Sequence, residues 1–189
     1  MGRMDGELEV VAKAAAGDED AFGMLVERHG RGVYTLAYRI TGNPSTAEDV
    51  VQETFMRAYK ALHRFDGRAR FSTWVHRIAV NAALDVTRQR KVRAEVAYES
   101  EEVLDPSPSP APGPERLAAS ADMRRVLAKA MRSLSPLERT AFVLRHHEGR
   151  TTEEIGEQLG LESGATRQAV FRAVRKLREA LAPLVGATS

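Results

Sequence analysis

An all-helical chain of two small domains follows from three features of the sequence. Outside one segment, apolar residues recur at intervals of three and four. That segment is rich in proline, serine and acids and cannot contribute to a core. Several points along the chain also pair a capping residue with a glutamate three positions later, the sign of a helix start. No stretch alternates apolar and polar residues between hairpin turns, so no sheet is expected.

The dividing segment runs from Tyr98 to Pro114, YESEEVLDPSPSPAPGP, and holds five of the chain's eight prolines. Proline removes backbone donors and favours extended backbone, so this reads as a semi-extended linker. It separates a domain over residues 1–95 from one over 115–189, with 96–114 as the connection. Four helices are expected on each side. In the third, Val50, Val51, Phe55, Ala58, Tyr59 and Leu62 share a face, and Asn43-Pro44 followed by Ser45-Thr46-Ala47-Glu48 reads as a capping box at its start. Beyond the linker, Ser135-Pro136-Leu137-Glu138 supplies a cap, a first-turn proline and a reciprocal glutamate, and Thr151-Thr152-Glu153-Glu154 repeats the device.

Composition narrows the function. The 189 residues include no cysteine, which excludes disulfides, cysteine-ligated zinc and thiol redox chemistry from this chain. No apolar run is long enough to span a bilayer, and MGRMDGELEVV carries acids where a signal peptide carries bases, so no membrane insertion and a cytoplasmic location are expected. The net charge of +2 says little, but its distribution says more. Arg64, Arg68, Arg70, Arg77, Arg88, Arg90, Lys91 and Arg93 face only Asp66 and Asp85 in their stretch. The linker region is acidic. From Ser163 to Arg178, Arg167, Arg172, Arg175, Lys176 and Arg178 meet no acid at all. Two basic blocks separated by an acidic strap suit two nucleic-acid footprints.

Residues 151–181, TTEEIGEQLGLESGATRQAVFRAVRKLREAL, read as a helix-turn-helix. Ile155 and Leu159 are the buried positions of the first helix, Gly160 gives a left-handed exit, Leu161 plugs the turn and Ser163 caps the second helix. At 100° per residue, Val170, Val174, Leu177 and Leu181 fall on one side, to pack against Leu137, Phe142, Val143 and Leu144. Gln168, Arg172 and Arg175 fall on the other. Arginine can bond guanine bidentately and glutamine can bond adenine, whereas Lys176 and Arg178 are better placed for phosphates. The plainer alternative is a solvated basic face on a helical hairpin.

Residues 65–93 mix aromatic and basic side chains. Val75, Ile78, Ala82 and Val86 form the expected buried stripe. Arg77, Asn81, Asp85 and Arg88 occupy another face, with Phe71 and Trp74 near the helix start. Such a surface can hold single-stranded DNA by stacking and charge, although Trp74 is equally readable as core. The preceding helix, residues 47–62, bears Glu48, Asp49, Gln52 and Glu53 on one face. That acidic face suits a basic protein partner; acids at a helix start also simply favour the helix dipole.

These segments together resemble the extracytoplasmic-function sigma factors, the smallest branch of the sigma-seventy family of bacterial RNA polymerase. DEDAFGMLVERHGRGVYTLAYRITGN and AEDVVQETFMRAYKAL are similar to that family's region two, FDGRARFSTWVHRIAVNAALD to its promoter-melting portion, and LSPLERTAFVLRHHEGRTTEEIGEQLGLESGATRQAVFRAVRKLREAL to region four. The resemblance implies that Asp49, Gln52, Glu53 and Phe55 dock on the clamp helices of the largest core RNA polymerase subunit. It implies that the loop ahead of Phe71, with Phe71, Arg77 and Asn81, captures an unstacked base of the minus-ten promoter element, and that Arg167, Gln168, Phe171 and Arg172 face the minus-thirty-five element. An inhibitory anti-sigma factor is implied as a further partner. The run Gly164-Ala165-Thr166-Arg167-Gln168-Ala169 departs from the family's usual recognition-helix opening, so the usual promoter sequence does not transfer.

Two other classes compete. A stand-alone helix-turn-helix regulator would bind duplex DNA selectively by itself, usually as a dimer, but no dimerisation segment is evident and the first domain is left without a role. An enzyme would need catalytic or metal-ligating groups. Glu48, Asp49 and Glu53 have no histidine at matching spacing, His146 and His147 are adjacent on a helix and point apart, and Gly30-Arg31-Gly32 follows no strand. No catalysis, cofactor or metal is expected.

Overall fold

The computed structural model describes residues 2–94 and 125–185, with side chains over 6–90 and 125–183. All regular structure among the described residues is helical. The chain divides into two compact units, Met1–Ala97 and Tyr98–Ser189. The expected linker, 96–114, lies outside the described residues, as do the side chains of Lys91 and Arg93.

The first unit holds α1 (Gly2–Ala15), α2 (Glu19–Thr41), α3 (Pro44–Ala61), a single 3-10 turn at Leu62–Arg64, and α4 (Phe71–Ala94). Each boundary has a local cause. Asp18 accepts a hydrogen bond from the Ala21 amide at 2.9 Å to start α2, and Gly42, at φ 71°, ends it in the left-handed conformation that glycine adopts freely. Asn43, not Ser45, caps α3: its Oδ1 accepts from the Thr46 amide at 2.9 Å, with Pro44 pre-set in the first turn. The expected capping box is therefore a simple asparagine cap set two residues earlier.

Helix α2 packs against α1, α3 and α4, and α3 packs against α4. The interior is built from Leu25, Val33, Leu36, Val50, Phe71, Val75 and Val80 with many alanines between them. On α4 the buried set is Val75, Ala79, Val80, Ala82, Ala83 and Leu84, broader than the expected stripe; Ile78 and Val86 are only half-buried. Tyr59, expected inside, is exposed, with its ring edge-on to Phe22 at 4.9 Å.

The second unit holds α5 (125–133), α6 (Pro136–His146), α7 (Thr152–Leu159) and α8 (Ser163–Val185). Both expected capping boxes are present, Ser135 with Glu138 and Thr151 with Glu154. The α7–α8 turn leaves through Gly160 at φ 65°. Helix α8 starts at Ser163 itself, and the Glu162 carbonyl accepts from the Thr166 amide at 3.0 Å, so the cap position lies one residue before the serine.

The buried stripe of α8 is Thr166, Ala169, Ala173 and Leu177; the expected Val170, Val174 and Leu181 flank it half-buried. Small residues at the centre let α8 approach α6 and α7 closely, while the larger valines close the margins. Ala130, Leu134, Ala173 and Leu177 form one apolar cluster with Met131, Phe142 and Ala180 against it. Leu137, expected to pack here, is exposed.

Two polar features tie this unit together. A Cβ at Gly156 would lie 2.8 Å from the Leu161 carbonyl oxygen and 3.0 Å from Thr166 Oγ1. Glu138 Oε2 accepts from the Ser135 amide at 2.9 Å and from Lys176 Nζ at 2.7 Å, joining α6 to α8. Burial pushes the Glu138 carboxyl up, but the bonds from Lys176 and Ser135 outweigh it and hold the group below the usual glutamate range.

Gly156→Ala is expected to destabilise the protein by about 1–3 kcal/mol through the clash, despite alanine's higher helix propensity; the midpoint of denaturant unfolding checks it. Because the Glu138 value is lower folded than unfolded, its stabilisation is present at neutral pH and is lost as pH falls below about 4. Glu138→Gln should therefore lower stability at pH 7 by about 1 kcal/mol and have progressively less effect in acid, as followed by unfolding across pH.

Candidate functional sites

The first site is the outer face of α8. Arg167, Gln168, Phe171, Arg172 and Arg175 succeed one another at steps of one and three, which places them side by side, and all five are exposed. Phe171 is 63% exposed, so it contributes nothing to the core and an apolar ring stands among four polar side chains. Arg175 pairs loosely with Glu179, 3.6 Å away on the next turn. Arg178 is exposed as well. Lys176, expected on phosphates, instead turns inward to Glu138 and is a structural residue.

The second site is the groove between α3 and α4. Asp49, Gln52, Glu53, Met56, Arg57, Asp85, Val86, Gln89 and Arg90 line a cavity of about 320 Å³. Its carboxylates are bonded within the chain: Arg57 donates to Glu53 at 2.6 Å and to Asp85 at 2.8 Å, and Arg90 donates to Asp49 at 2.9 Å. The bonds to Asp85 and then Glu53 raise the Arg57 guanidinium above its usual value, so it stays charged. Phe55 lies on the other side of α3, only 7% exposed and edge-on to Phe22. Its ring is core and is closed to a partner. The sequence reading missed Met56, Arg57 and Arg90, although the Glu53–Arg57 spacing of four was a visible sign of a helical ion pair.

The third site surrounds the start of α4. Arg77, Asn81 and Arg88 are exposed along one side of the helix, and Asp85 beside them is half-exposed and held by Arg57. Phe71 departs from expectation. It is 1% exposed, enclosed by Phe65, Trp74 and His29 at ring separations of 5.9, 5.6 and 5.1 Å. Its ring is thus unavailable for stacking on a base, and it anchors the corner from which the preceding loop projects. Trp74 is half-buried against Phe65 and Phe71, sharing that anchoring role.

In the loop itself, Asp66 Oδ1 accepts from the Arg68 amide at 3.1 Å and Gly67 takes φ 71°, a tight turn that leaves Arg68 and Arg70 in solvent. Between this loop and α1 lies a cavity of about 410 Å³ lined by Glu7, Leu8, Gly67, Arg68, Ala69, Arg70, Phe71 and Ser72.

No group of three or more histidine, aspartate or glutamate side chains able to hold a metal ion occurs among the described residues. No described helix is long and apolar enough to cross a membrane.

Against known proteins, the family described as Sigma-70 region 2 matches residues 25–93, and Sigma-70, region 4 matches residues 130–179. The chain is 34% identical over 180 residues to the ECF RNA polymerase sigma factor SigW of Bacillus subtilis (strain 168), covering 92% of this chain and 96% of that protein. It is 38% identical over 172 residues to the ECF RNA polymerase sigma factor SigE of Mycolicibacterium smegmatis, covering 89% of this chain but 65% of that longer protein. The sigma factor RpoE of Bartonella quintana, solved with the anti-sigma factor NepR, shares the fold at a TM-score of 0.65 and 21% identity over 85% of this chain and 96% of its own. The chain therefore belongs to the ECF RNA polymerase sigma factors, with a Sigma-70 region 2 in its first unit and a region 4 in its second.

Proposed function

We propose that the three sites divide the work of promoter-directed initiation. The groove face of α3, with Asp49, Gln52 and Glu53, docks on the clamp helices of core RNA polymerase, and the buried Phe55 sets the angle of that face. The loop before α4, with Phe71 beneath it, takes an unstacked base of the minus-ten element, and Arg77, Asn81 and Arg88, spaced along one side of α4 away from the loop, follow the strand backbone. Arg167, Gln168, Phe171, Arg172 and Arg175 enter the major groove at the minus-thirty-five element. Residues 1–95 and 115–189 act as the two domains and 96–114 as the connection. The chain performs no chemistry of its own, works in the cytoplasm, and an anti-sigma factor covers the same faces when transcription is off. That last partner rests on the family resemblance.

The observation that carries the reading is the α8 face: five side chains suited to base edges and backbone, exposed together on a helix whose stripe Thr166, Ala169, Ala173 and Leu177 is buried. A stand-alone regulator is not favoured, because the region 2 match accounts for the first unit, which that reading leaves idle.

Run-off transcription from a genomic promoter library, with core polymerase and the full chain, is the direct test. Start sites should appear with the wild type, and Arg172→Ala should lower their use about tenfold while relaxing the sequence preference upstream. Selective duplex binding by the free chain, with no initiation, would instead make it a regulator. Asp49→Asn should weaken binding to core polymerase several-fold, an effect that shrinks at high salt, as read by titration against labelled core enzyme.

A further inference from the structure

The cavity between α1 and the loop 65–70 combines four properties. Leu8 and Ala69 give it apolar walls over the buried Phe71, Arg68 and Arg70 stand exposed at its edge, and Ser72 adds a hydroxyl. At about 410 Å³ it has room for a nucleobase. One further lining residue is unexpected beside a polyanion, Glu7. That carboxylate is held in place, with its side chain 22% exposed, His29 Nε2 2.9 Å from Oε1 and an Arg28 Nη1 donor at 3.5 Å. The His29 ring in turn packs on Phe71, so α2, braced by the start of α4, holds the carboxylate that α1 carries.

A fixed carboxylate opposes DNA binding in general, and Arg28, Arg68 and Arg70 around it offset that repulsion. Its value lies in discrimination. Adenine, cytosine and guanine each carry an exocyclic amino group that donates to a carboxylate, whereas the corresponding edge of thymine presents carbonyl oxygens on both sides of one N–H. A carboxylate that reaches that N–H sets its second oxygen against a carbonyl oxygen, so thymine is held less well than a base that offers an amino group.

We propose that Glu7 is a specificity-determining residue for the captured base, accepting a hydrogen bond from its amino group and rejecting thymine. This rests on the reading above that the loop before α4 takes an unstacked base. Among the described residues Glu7 is the only carboxylate lining the cavity, and it comes from a helix outside the loop, so the loop alone does not set the preference.

The test is run-off transcription by core polymerase and the full chain on promoters randomised through the minus-ten element, comparing wild type, Glu7→Gln and His29→Gln. In the wild type one position should be depleted of thymine about tenfold. Glu7→Gln keeps an acceptor for His29 and gains an amide donor for a thymine carbonyl, so the depletion should vanish while other positions keep their preferences. His29→Gln retains the carboxylate and a donor to it, so it should keep the depletion. If Glu7→Gln lowers output from all sequences alike, or leaves thymine excluded, Glu7 merely latches α1 to α2 and the proposal falls. If the wild type shows no preference at any minus-ten position, it is the base-capture reading that fails.

Discussion

Helix α4 is packed on two sides at once, by α2 and by α3, and most of the first unit follows from that. A helix enclosed this way buries more than one stripe, and α4 does so with Val75, Ala79, Val80, Ala82, Ala83 and Leu84. Alanine at three of these six positions brings the neighbouring backbones near, and at such density even one added methylene is felt. The solvent-facing strip that remains is narrow. It carries Arg77, Asn81 and Arg88, so the exposed polar side chains are held by a helix with little freedom to shift.

The corner before α4 extends the same logic. Phe65, Phe71, Trp74 and His29 pack ring against ring, and Gly67 turns the chain within four residues of the Phe71 anchor. A loop that projects from a rigid aromatic cluster keeps its shape without a core of its own. In the second unit the corresponding constraint is Gly156, where α7, the turn at Leu161 and Thr166 of α8 meet too closely for any side chain. That approach sets the angle between α7 and α8, while the Lys176–Glu138 bond fixes the rotation of α8 on α6. The five exposed residues of α8 are aimed by contacts on the helix's opposite side.

How far these features were legible in the sequence follows from what a helical wheel encodes. The helical character of the described residues, the two capping boxes of the second unit, the Gly160 exit and the exposed Gln168, Arg172 and Arg175 are local properties, and they were readable. Residues whose environment depends on a second element were not. Phe71 looks like a contact residue beside its basic neighbours but is buried by helices distant in sequence, whereas the burial of Phe55 agrees with its place on the apolar face of α3 and only the family resemblance suggested a contact role. The α8 stripe was misplaced because alanines 169 and 173 carry little apolar weight on a wheel, although they occupy the closest helix contact. Lys176 counted as one more cation in a basic block until α6 supplied Glu138. Glu7 was invisible for the same reason, since nothing local links α1 to a loop sixty residues away.

The internal pairing of the α3–α4 groove bears on where docking energy comes from. Asp49, Glu53 and Asp85 are not bare carboxylates awaiting a partner; Arg90 and Arg57 already satisfy them. A cationic partner that binds Asp49 must displace Arg90 or share the carboxylate with it, exchanging one exposed pair for another, and such pairs are individually worth about 0–1 kcal/mol. The exchange steers and orients more than it binds. Net attraction must then come from surface that is apolar and exposed before docking, and the same helix offers it in Met56 and Tyr59, both nearly half exposed on or beside the groove. On the docking proposed above, the groove separates two tasks: paired charges select a basic partner and set its register, and the exposed methionine and tyrosine of the same helix supply the burial that holds it.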